Sequence, residues 1–225
     1  MSGINPVAVV DGTHEAGEIC ALLGAVARCV NVPRAGDLAG VLDAINPRAV
    51  IDAGHSFEAA QSAAVHDWCS AQGVPYLRVL RPSWQAGTDD HWHQVPTITA
   101  AVAMLDGVAC VFTNTGRSTL AEFRDFRGKA VLVRQLTAHD DPPPFAFMRY
   151  LFGTAPFSVA QETELFASLG ITALICRNTG GTASRSKLDA ASRLGLPVYM
   201  VTQPAPPSGD KAETVAAAMA WLSQL

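Results

Sequence analysis

The stretch from Ala173 to Val201 constrains the fold more than any other part of the chain. It begins with a short apolar run, Ala173 to Cys176, and ends with a second one, Val198 to Val201. Between them lie a loop rich in Gly, Ser and Thr and an amphipathic run, which Gly195 and Pro197 are placed to end. Short apolar runs bounded by turn residues are typical of buried parallel strands. The stretch therefore predicts a strand–loop–helix–strand unit.

The loop of this unit has the composition of an anion-binding site. Its residues are Asn178, Thr179, Gly180 and Gly181. Adjacent glycines allow peptide N–H groups to approach an anion, and the following helix adds partial positive charge. Arg177 and Lys187 flank the loop with cations. We therefore expect a nucleotide phosphate or a carboxylate here, although a glycine-rich turn with no ligand would need the same residues.

The same alternation of apolar runs and amphipathic segments fills the rest of the chain. The other predicted strands are Ala8 to Val10, Cys29 to Val32, Ala49 to Asp52, Tyr76 to Leu80, Val108 to Phe112 and Ala130 to Arg134. This alternation, with 49% hydrophobic and only 16% charged residues, predicts an α/β protein with mainly parallel sheets. We expect two Rossmann-like halves, residues 1–107 and 108–225, with a cleft between them.

Two further loops follow strands in the first half. Gly12, Thr13 and Glu15 come after the first strand, where Thr13 is a candidate cap of the next helix. Asp52 ends the third strand, and His55 follows three residues later. An Asp and a His at this position are suited to proton transfer or to binding a carboxylate, because His titrates near neutrality. The residues alone equally allow an Asp that caps a helix beside a surface His.

Two other segments have the chemistry of a binding site. Arg81 and Trp84 offer a cation for a carboxylate and an indole face for a flat ring. In the second half, a strand leads into a turn made of Thr115, Gly116, Arg117 and Ser118. A hydroxyl, peptide N–H groups and a guanidinium suit a phosphate, including the 2′-phosphate of NADP. A plain strand–helix turn with a surface arginine remains the alternative for this segment.

Composition narrows the class of protein. The formal net charge of −4 argues against a nucleic-acid binder, and no apolar run has the length of a membrane span. The N-terminal segment lacks the basic region and long apolar core of a signal peptide. The five cysteines are scattered without a C-x-x-C pair, which predicts free buried thiols in the cytoplasm and no metal site. A monomer and a homodimer both remain open.

These segments together resemble the precorrin-6A reductase family of cobalamin biosynthesis. The segment RNTGGTASRSKLDAASRLGLPVYMV resembles the family's C-terminal signature, approximately K-N-S-G-G followed by K-L-D-A-A-R-x-L-G-L-P-V. GTHEA resembles G-G-T-x-E-A, and DAGHSF resembles D-A-T-H-P-F. The segment RPSW resembles R-P-x-W, and TGRSTLAEF matches T-G-R-x-x-L-x-x-F. The five segments occur in the family's order.

The resemblance implies an NADPH-dependent oxidoreductase that reduces a double bond of precorrin-6A or its cobalt form to give precorrin-6B. It implies that the Thr115–Ser118 turn, the Asn178–Gly181 loop and Lys187 bind NADPH. The implied substrate-side residues are Gly12, Thr13, Glu15, Phe57, Arg81, Trp84 and Arg177, with Asp52 and His55 as catalytic candidates.

Four departures from the family pattern fall in the motif loops. Asp11 replaces the first glycine of the opening motif, and Arg177 replaces a lysine. The chain from Val32 to Gly36 is shorter than the family's Gly- and Phe-rich stretch, and Thr154 to Phe157 lacks the family's Arg and Gly. They allow two alternatives: an inactive paralogue that binds a tetrapyrrole or nucleotide, or an NAD(P)-dependent reductase of another carboxylated substrate.

Overall fold

The computed structural model describes residues 5–31, 38–182 and 184–225. The strands are β1 (Val7–Val10), β2 (Ala27–Val30), β3 (Ala49–Asp52), β4 (Tyr76–Val79), β5 (Trp92–Val95), β6 (Cys110–Thr113), β7 (Ala130–Gln135), β8 (Met148–Phe152), β9 (Ala173–Arg177), β10 (Val198–Val201) and β11 (Asp210–Ala212). The helices are α1 (His14–Leu23), α2 (Leu38–Ile45), α3 (Ala59–Gln72), α4 (Ile98–Ala103), α5 (Val159–Ser168), α6 (Ser186–Arg193) and α7 (Val215–Leu222), with 3₁₀ turns at Gly24–Val26 and Arg117–Phe123. The predicted loop from Val32 to Gly36 lies outside the described residues.

The chain forms two compact units, and each has its own sheet. Unit 1 is drawn from Met1–Pro82 and Pro204–Leu225, and unit 2 is Ser83–Gln203. Every strand pair in the described part of the chain is parallel. The prediction of an α/β protein with two Rossmann-like halves and mainly parallel sheets is therefore confirmed.

Unit 1 contains a five-stranded sheet in the order β11-β4-β3-β1-β2. Numbered along the unit, this is the 2-1-3-4-5 order of flavodoxin-like folds. Side chains alternate between the two faces, so Val7 and Val9 pack with α1 and α7, whereas Ala8 and Val10 pack with α2 and α3. Burial on both faces explains why these strands are continuous apolar runs.

Unit 2 contains a six-stranded sheet in the order β5-β10-β9-β6-β7-β8. Counted from β6, this is the 3-2-1-4-5-6 order of dinucleotide-binding sheets, with β5 in the sixth position. One face packs against α5 and α6 through Phe166, Leu188 and Ala191. The order reverses between β6 and β9, which places the loops after these two neighbouring strands at the point where such sheets bind ligands.

The division of the chain differs from the predicted boundary at residue 107. Strand β5 pairs with β10, so the segment that begins at Ser83 belongs to unit 2. Strand β11 pairs with β4, so the segment that begins at Pro204 returns to unit 1. Both strands are short and partly polar, and their pairing depends on partners distant in sequence, which is why the local pattern misplaces the boundary.

The cysteine prediction is wrong for one pair. Cys20, near the end of α1, and Cys29, on β2, form a disulfide with a Cα–Cα distance of 6.4 Å. Their helix and strand are consecutive and packed together, which brings residues nine positions apart into contact. Cys69, Cys110 and Cys176 are free and buried, as predicted. In the described part of the chain, no helix is both long and apolar enough to cross a membrane.

Candidate functional site

The loops after β1 and β3 meet at the switch point of the unit 1 sheet. The Thr13 hydroxyl donates a hydrogen bond to the Ala53 carbonyl at 2.8 Å and also caps α1 by accepting from the Ala16 N–H. Gly12 has a φ of 153°, and a Cβ at this position would lie 2.9 Å from the backbone nitrogen of His55. The close approach of the two loops therefore requires glycine at position 12.

Asp52 is fully buried beneath these loops. Its carboxylate accepts hydrogen bonds from Arg78 Nη1 at 3.0 Å, from the Gly54 N–H at 3.0 Å and from the Tyr76 hydroxyl at 2.9 Å. Burial and the adjacent Asp52 carboxylate raise the pKa of the Tyr76 hydroxyl, so Tyr76 stays protonated and donates to Asp52. Asp52 thus ties the loop that follows β3 to Arg78 and Tyr76 on β4.

Arg78 connects the Asp52 carboxylate to the backbone at His55. Its guanidinium donates to the backbone carbonyls of Gly54 at 3.0 Å and His55 at 3.4 Å. The imidazole Nδ1 of His55 accepts a hydrogen bond from the Phe57 N–H at 3.2 Å. A neutral His55 therefore carries its proton on Nε2 and can donate a hydrogen bond from that atom. The Phe57 ring lies beside it, at 6.1 Å between ring centroids.

Glu15 and Arg81 form a two-point ion pair in unit 1. Arg81 Nε and Nη2 lie 2.5 Å and 2.7 Å from the two oxygens of Glu15. The hydrogen bond from Arg81 holds the pKa of Glu15 below its ordinary value, although partial burial opposes the shift. Both predicted substrate-side residues thus neutralise each other in this structure, and Arg81 can bind a substrate carboxylate only by sharing or exchanging Glu15.

In unit 2, the Thr115–Ser118 turn follows β6 at the switch point. The hydroxyl of Thr115 is buried, with Thr113 Oγ1 at 3.1 Å and Thr119 Oγ1 at 3.0 Å. Gly116 has a φ of 88°, and the side chains of Arg117 and Ser118 are exposed. Arg117 forms an ion pair with Asp141 at 2.5 Å, and both partners are exposed to solvent. The turn thus exposes a guanidinium next to a buried group of hydrogen-bonded threonine hydroxyls.

The Asn178–Gly181 loop follows the neighbouring strand β9 and is clamped by Trp84. Asn178 is buried, and its side-chain amide bonds to the backbone N–H and C=O of Trp84 at 2.8 Å and 2.9 Å. The indole Nε1 of Trp84 donates to the Gly181 carbonyl at 2.6 Å. Gly180 and Gly181 have φ values of 67° and 79°, which favour glycine. Thr179, which precedes the two glycines, and Arg177, the last residue of β9, are both half-buried.

Trp84 and Asn178 hold this loop in place. Trp84 is only 7% exposed and belongs to the apolar core of unit 2, so most of its indole is covered in this structure. The Asn178 amide is hydrogen-bonded to the backbone of Trp84. Composition shows that an indole is present but not which residues cover it.

Three buried charges that local sequence does not connect lie near the same switch point. Arg134 Nη2 bonds to Glu162 Oε2 at 2.9 Å, and both side chains are more than nine-tenths buried. Lys187 is buried as well; burial lowers the pKa of its ammonium, and its Nζ lies 5.1 Å from the centre of the Trp84 ring and donates to the Ser184 carbonyl. Only Lys187 was expected in this site.

The segment from Asp89 to His93 contains two aspartates and two histidines. Asp90 accepts a hydrogen bond from the Gly87 N–H at 2.8 Å, and the His93 ring stacks on Tyr199 at 5.1 Å. Within residues 5–31, 38–182 and 184–225, no group of three or more His, Cys, Asp and Glu side chains is arranged to hold a metal ion.

Sheet order and loop positions define the class of protein. Unit 2 has the strand order of a dinucleotide-binding domain, and the glycine-rich loops and cations of both units follow strands at the carboxyl edges of their sheets. This arrangement is that of a parallel α/β protein with two Rossmann-like sheets, and it is typical of proteins that bind anionic ligands at these edges.

Comparison with known proteins identifies the family. The family model for the precorrin-6x reductases CbiJ/CobK matches residues 25–223, and the chain belongs to this family of oxidoreductases. It is 35% identical over 192 residues to the precorrin-6A reductase of Rhodobacter capsulatus, covering 84% of this chain and 76% of that protein. It is 33% identical over 182 residues to the precorrin-6A reductase of Rhodococcus erythropolis, covering 79% and 72%. The predicted resemblance of the chain to the precorrin-6A reductase family is therefore confirmed.

A solved structure described as CobK precorrin-6A reductase has the same fold. It superposes with a TM-score of 0.87 at 31% sequence identity, covering 98% of this chain and 96% of that one. The described part of the chain therefore has the architecture of that precorrin-6A reductase structure.

Proposed function

We propose that this protein catalyses the NADPH-dependent reduction of a double bond in precorrin-6A, or its cobalt form, to give precorrin-6B in cobalamin biosynthesis. The observation that carries the proposal is the match over almost the whole chain to a precorrin-6A reductase structure, at a TM-score of 0.87. Relatives named precorrin-6A reductase with up to 35% identity support the same substrate.

Unit 2 is the proposed NADPH side. Its strand order and its two glycine-containing loops at the switch point fit a dinucleotide. Arg117 is exposed, and its surface pair with Asp141 is of the kind that exchanges at little cost, so its guanidinium can bind the 2′-phosphate. Thr115, Gly116 and Ser118 complete this turn, and Thr179, Gly180 and Gly181 provide backbone groups. NADPH, when bound, supplies the hydride.

Unit 1 is the proposed substrate side. Asp11 accepts a hydrogen bond from the Gly12 N–H at 2.7 Å, and its exposed carboxylate at the switch point opposes a phosphate there. The loop of Gly12 and Thr13 therefore suits the macrocycle better than a dinucleotide. We place His55, with its Nε2–H, and the Phe57 ring against the macrocycle.

The cations and the buried carboxylate of the substrate side have separate roles. Arg81 of unit 1 is a proposed contact for a carboxylate of the macrocycle, with Glu15 controlling its orientation. Arg177, at the end of β9 in unit 2, is a second proposed carboxylate contact. Asp52 acts through Arg78 as a positioning residue for His55. The hydrogen bond that His55 Nδ1 accepts from Phe57 fixes the ring orientation, and His55 is the proposed group that hydrogen-bonds or protonates the macrocycle.

The direct test is NADPH oxidation, followed at about 340 nm, with precorrin-6A supplied enzymatically. Turnover with NADPH that exceeds turnover with NADH, and a preference that shrinks in Arg117→Ala, would support both the reaction and the position of the 2′-phosphate. Arg124→Ala, another exposed arginine of unit 2, is the matched control.

Two other outcomes favour the alternatives. Macrocycle binding without turnover would indicate an inactive binding paralogue, which the altered motif loops allow. NADPH oxidation with another carboxylated compound, but not with precorrin-6A, would indicate a reductase of different specificity.

A further inference from the structure

A cavity of about 130 Å³ lies in unit 2, beyond the carboxyl ends of β6 and β7. Its lining includes Arg134, Glu162, Lys187, Phe112 and Phe157. Lys187 and Phe157 belong to segments that the family motifs mark, whereas Phe112, Arg134 and Glu162 do not. The lining of the cavity therefore combines charged and aromatic side chains.

The charges of the cavity do not balance. Arg134 and Lys187 are two buried cations, and Glu162 is the one buried carboxylate among the described lining residues. Arg134 donates to Glu162 through Nη2, but its buried Nη1 has no hydrogen-bond partner within the described residues. A buried guanidinium donor without a partner is costly, and an oxyanion is the group that would satisfy it.

The apolar part of the lining restricts the ligand further. The Arg134 guanidinium lies 3.9 Å from the centre of the Phe157 ring and 5.3 Å from that of Phe112. Leu136 and Ala155 also line the cavity. Aromatic and aliphatic walls next to a cation suit methylene groups that lead to a carboxylate better than they suit a phosphate, which needs polar partners on all its oxygens.

We propose that this cavity binds a carboxylate on a short aliphatic chain, with Arg134 and Lys187 as its cationic contacts and Phe112 and Phe157 against its methylene groups. Glu162 holds Arg134 in place and limits the positive charge of the empty cavity. If the proposed function is correct, the carboxylate is an acid side chain of the macrocycle, and only this last assignment rests on that function.

The test uses the full-length protein and sodium propionate as the probe, with affinity measured by NMR titration at constant ionic strength. Propionamide has nearly the same shape without the charge and should bind at least about tenfold more weakly. Arg134→Gln should weaken propionate binding by about tenfold or more, whereas Arg127→Gln, an exposed arginine of the same unit, should leave it unchanged. Glu162→Gln removes the opposing charge and should tighten it several-fold.

Several results would overturn the proposal. One is equal binding of propionate and propionamide, and another is unchanged propionate affinity in Arg134→Gln. A result in which inorganic phosphate binds more tightly than propionate, and loses affinity in Arg134→Gln, would show that the cavity binds a cofactor phosphate and not a carboxylate. If Arg134→Gln does not fold, Lys187→Met tests the second cation. This variant should likewise bind propionate about tenfold or more weakly, and an unchanged propionate affinity would overturn the proposal.

Turnover measurements separate this inference from the proposed function. A raised KM for the macrocycle in Arg134→Gln, with the KM for NADPH unchanged, would support the macrocycle as the source of the carboxylate. If the wild-type protein binds propionate but does not reduce precorrin-6A, the result would support the carboxylate site and contradict the proposed reaction.

Discussion

Asp52 and Arg78 show how a single buried pair organises a loop in unit 1. Both side chains are at most 2% exposed, and the carboxylate also accepts from Tyr76 and from the backbone of Gly54. Replacement of one partner of a buried ion pair leaves an uncompensated charge, which costs about 3–5 kcal/mol. The pair is therefore a stability element as well as the support of His55.

Asp52→Asn is expected to lower the free energy of unfolding of unit 1 by about 3–5 kcal/mol, because Arg78 loses its countercharge. Tyr76→Phe removes one neutral donor to the same carboxylate and should cost only about 1–2 kcal/mol. Urea denaturation measures both. Asp125→Asn, at an exposed aspartate, is the control. An Asp52→Asn protein as stable as the wild type would contradict this account of the pair.

The Glu15–Arg81 pair should make stability depend on pH in a specific direction. The pKa of Glu15 is lowered in the folded protein from its ordinary value of 4.5, so folding favours the charged form. Its contribution is complete above the unfolded pKa and is lost as pH falls through the folded pKa.

The difference in unfolding free energy between wild type and Glu15→Gln should therefore be largest at about pH 7 and shrink toward about pH 3. Denaturation at a series of pH values measures this difference, with Glu164→Gln at an exposed site as the reference. A difference that stays constant or grows as the pH falls would show that the Arg81 bond does not stabilise the Glu15 carboxylate.

Residue-scale prediction from sequence succeeded where the interaction is local. The predicted cap at Thr13 depends on a group three positions away, and it is present in the structure. The roles of Arg78 and Arg134 depend on partners 26 and 28 positions away, and no local pattern reveals them. The Cys20–Cys29 pair was missed because its formation requires the packing of α1 against β2.

At the scale of elements, Trp84 and Asn178 fix the loop after β9. The clamp consists of three hydrogen bonds, two through the amide of Asn178 and one from the indole to Gly181. A glycine loop that is held in advance loses less conformational freedom when it binds a phosphate. The clamp is therefore expected to contribute to cofactor affinity without touching the cofactor.

Trp84→Phe keeps most of the apolar volume and removes the hydrogen bond to Gly181. The dissociation constant for NADPH should rise about threefold to tenfold, roughly the value of one hydrogen bond. Calorimetric titration measures it. Trp92→Phe is the matched control, because its buried Nε1 has no hydrogen-bond partner within the described residues. Equal NADPH affinity of Trp84→Phe and wild type would show that the clamp is not coupled to the cofactor.

The strands that the sequence missed share one property. β5, β8 and β11 are edge strands of their sheets, and each contains charged or polar residues. Central strands are buried on both faces and read as apolar runs, whereas edge strands need only one apolar face or a single neighbour. The sequence therefore predicted the central strands of both sheets, the loops that follow them and the edge strand β2, but not the other three edge strands.

At the scale of the molecule, the two units differ in the number of chain segments that build them. Unit 2 is one continuous segment, Ser83–Gln203, whereas unit 1 requires the returning segment that begins at Pro204. That segment supplies β11 beside β4 and the apolar face of α7, including Ala218 and Leu222. Without it, the edge of β4 and one face of the unit 1 sheet would be exposed.

A protein cut after residue 203 should therefore lose the fold of unit 1 and keep that of unit 2. Amide NMR spectra test this: dispersed signals should match those of an isolated 83–203 fragment, and the rest should collapse to the unfolded range. Removal of residues 223–225 only, which follow α7, is the control. A fully dispersed spectrum for the 1–203 protein would contradict the role of β11 and α7 in unit 1.

Mass spectrometry of the macrocycle after incubation tests most directly whether this chain transfers hydrogen from NADPH to precorrin-6A. We predict a product heavier by about 2 Da with NADPH, and by about 3 Da when the transferred hydrogen at C4 of the cofactor is deuterium. An unchanged macrocycle mass under conditions in which both ligands bind would contradict it.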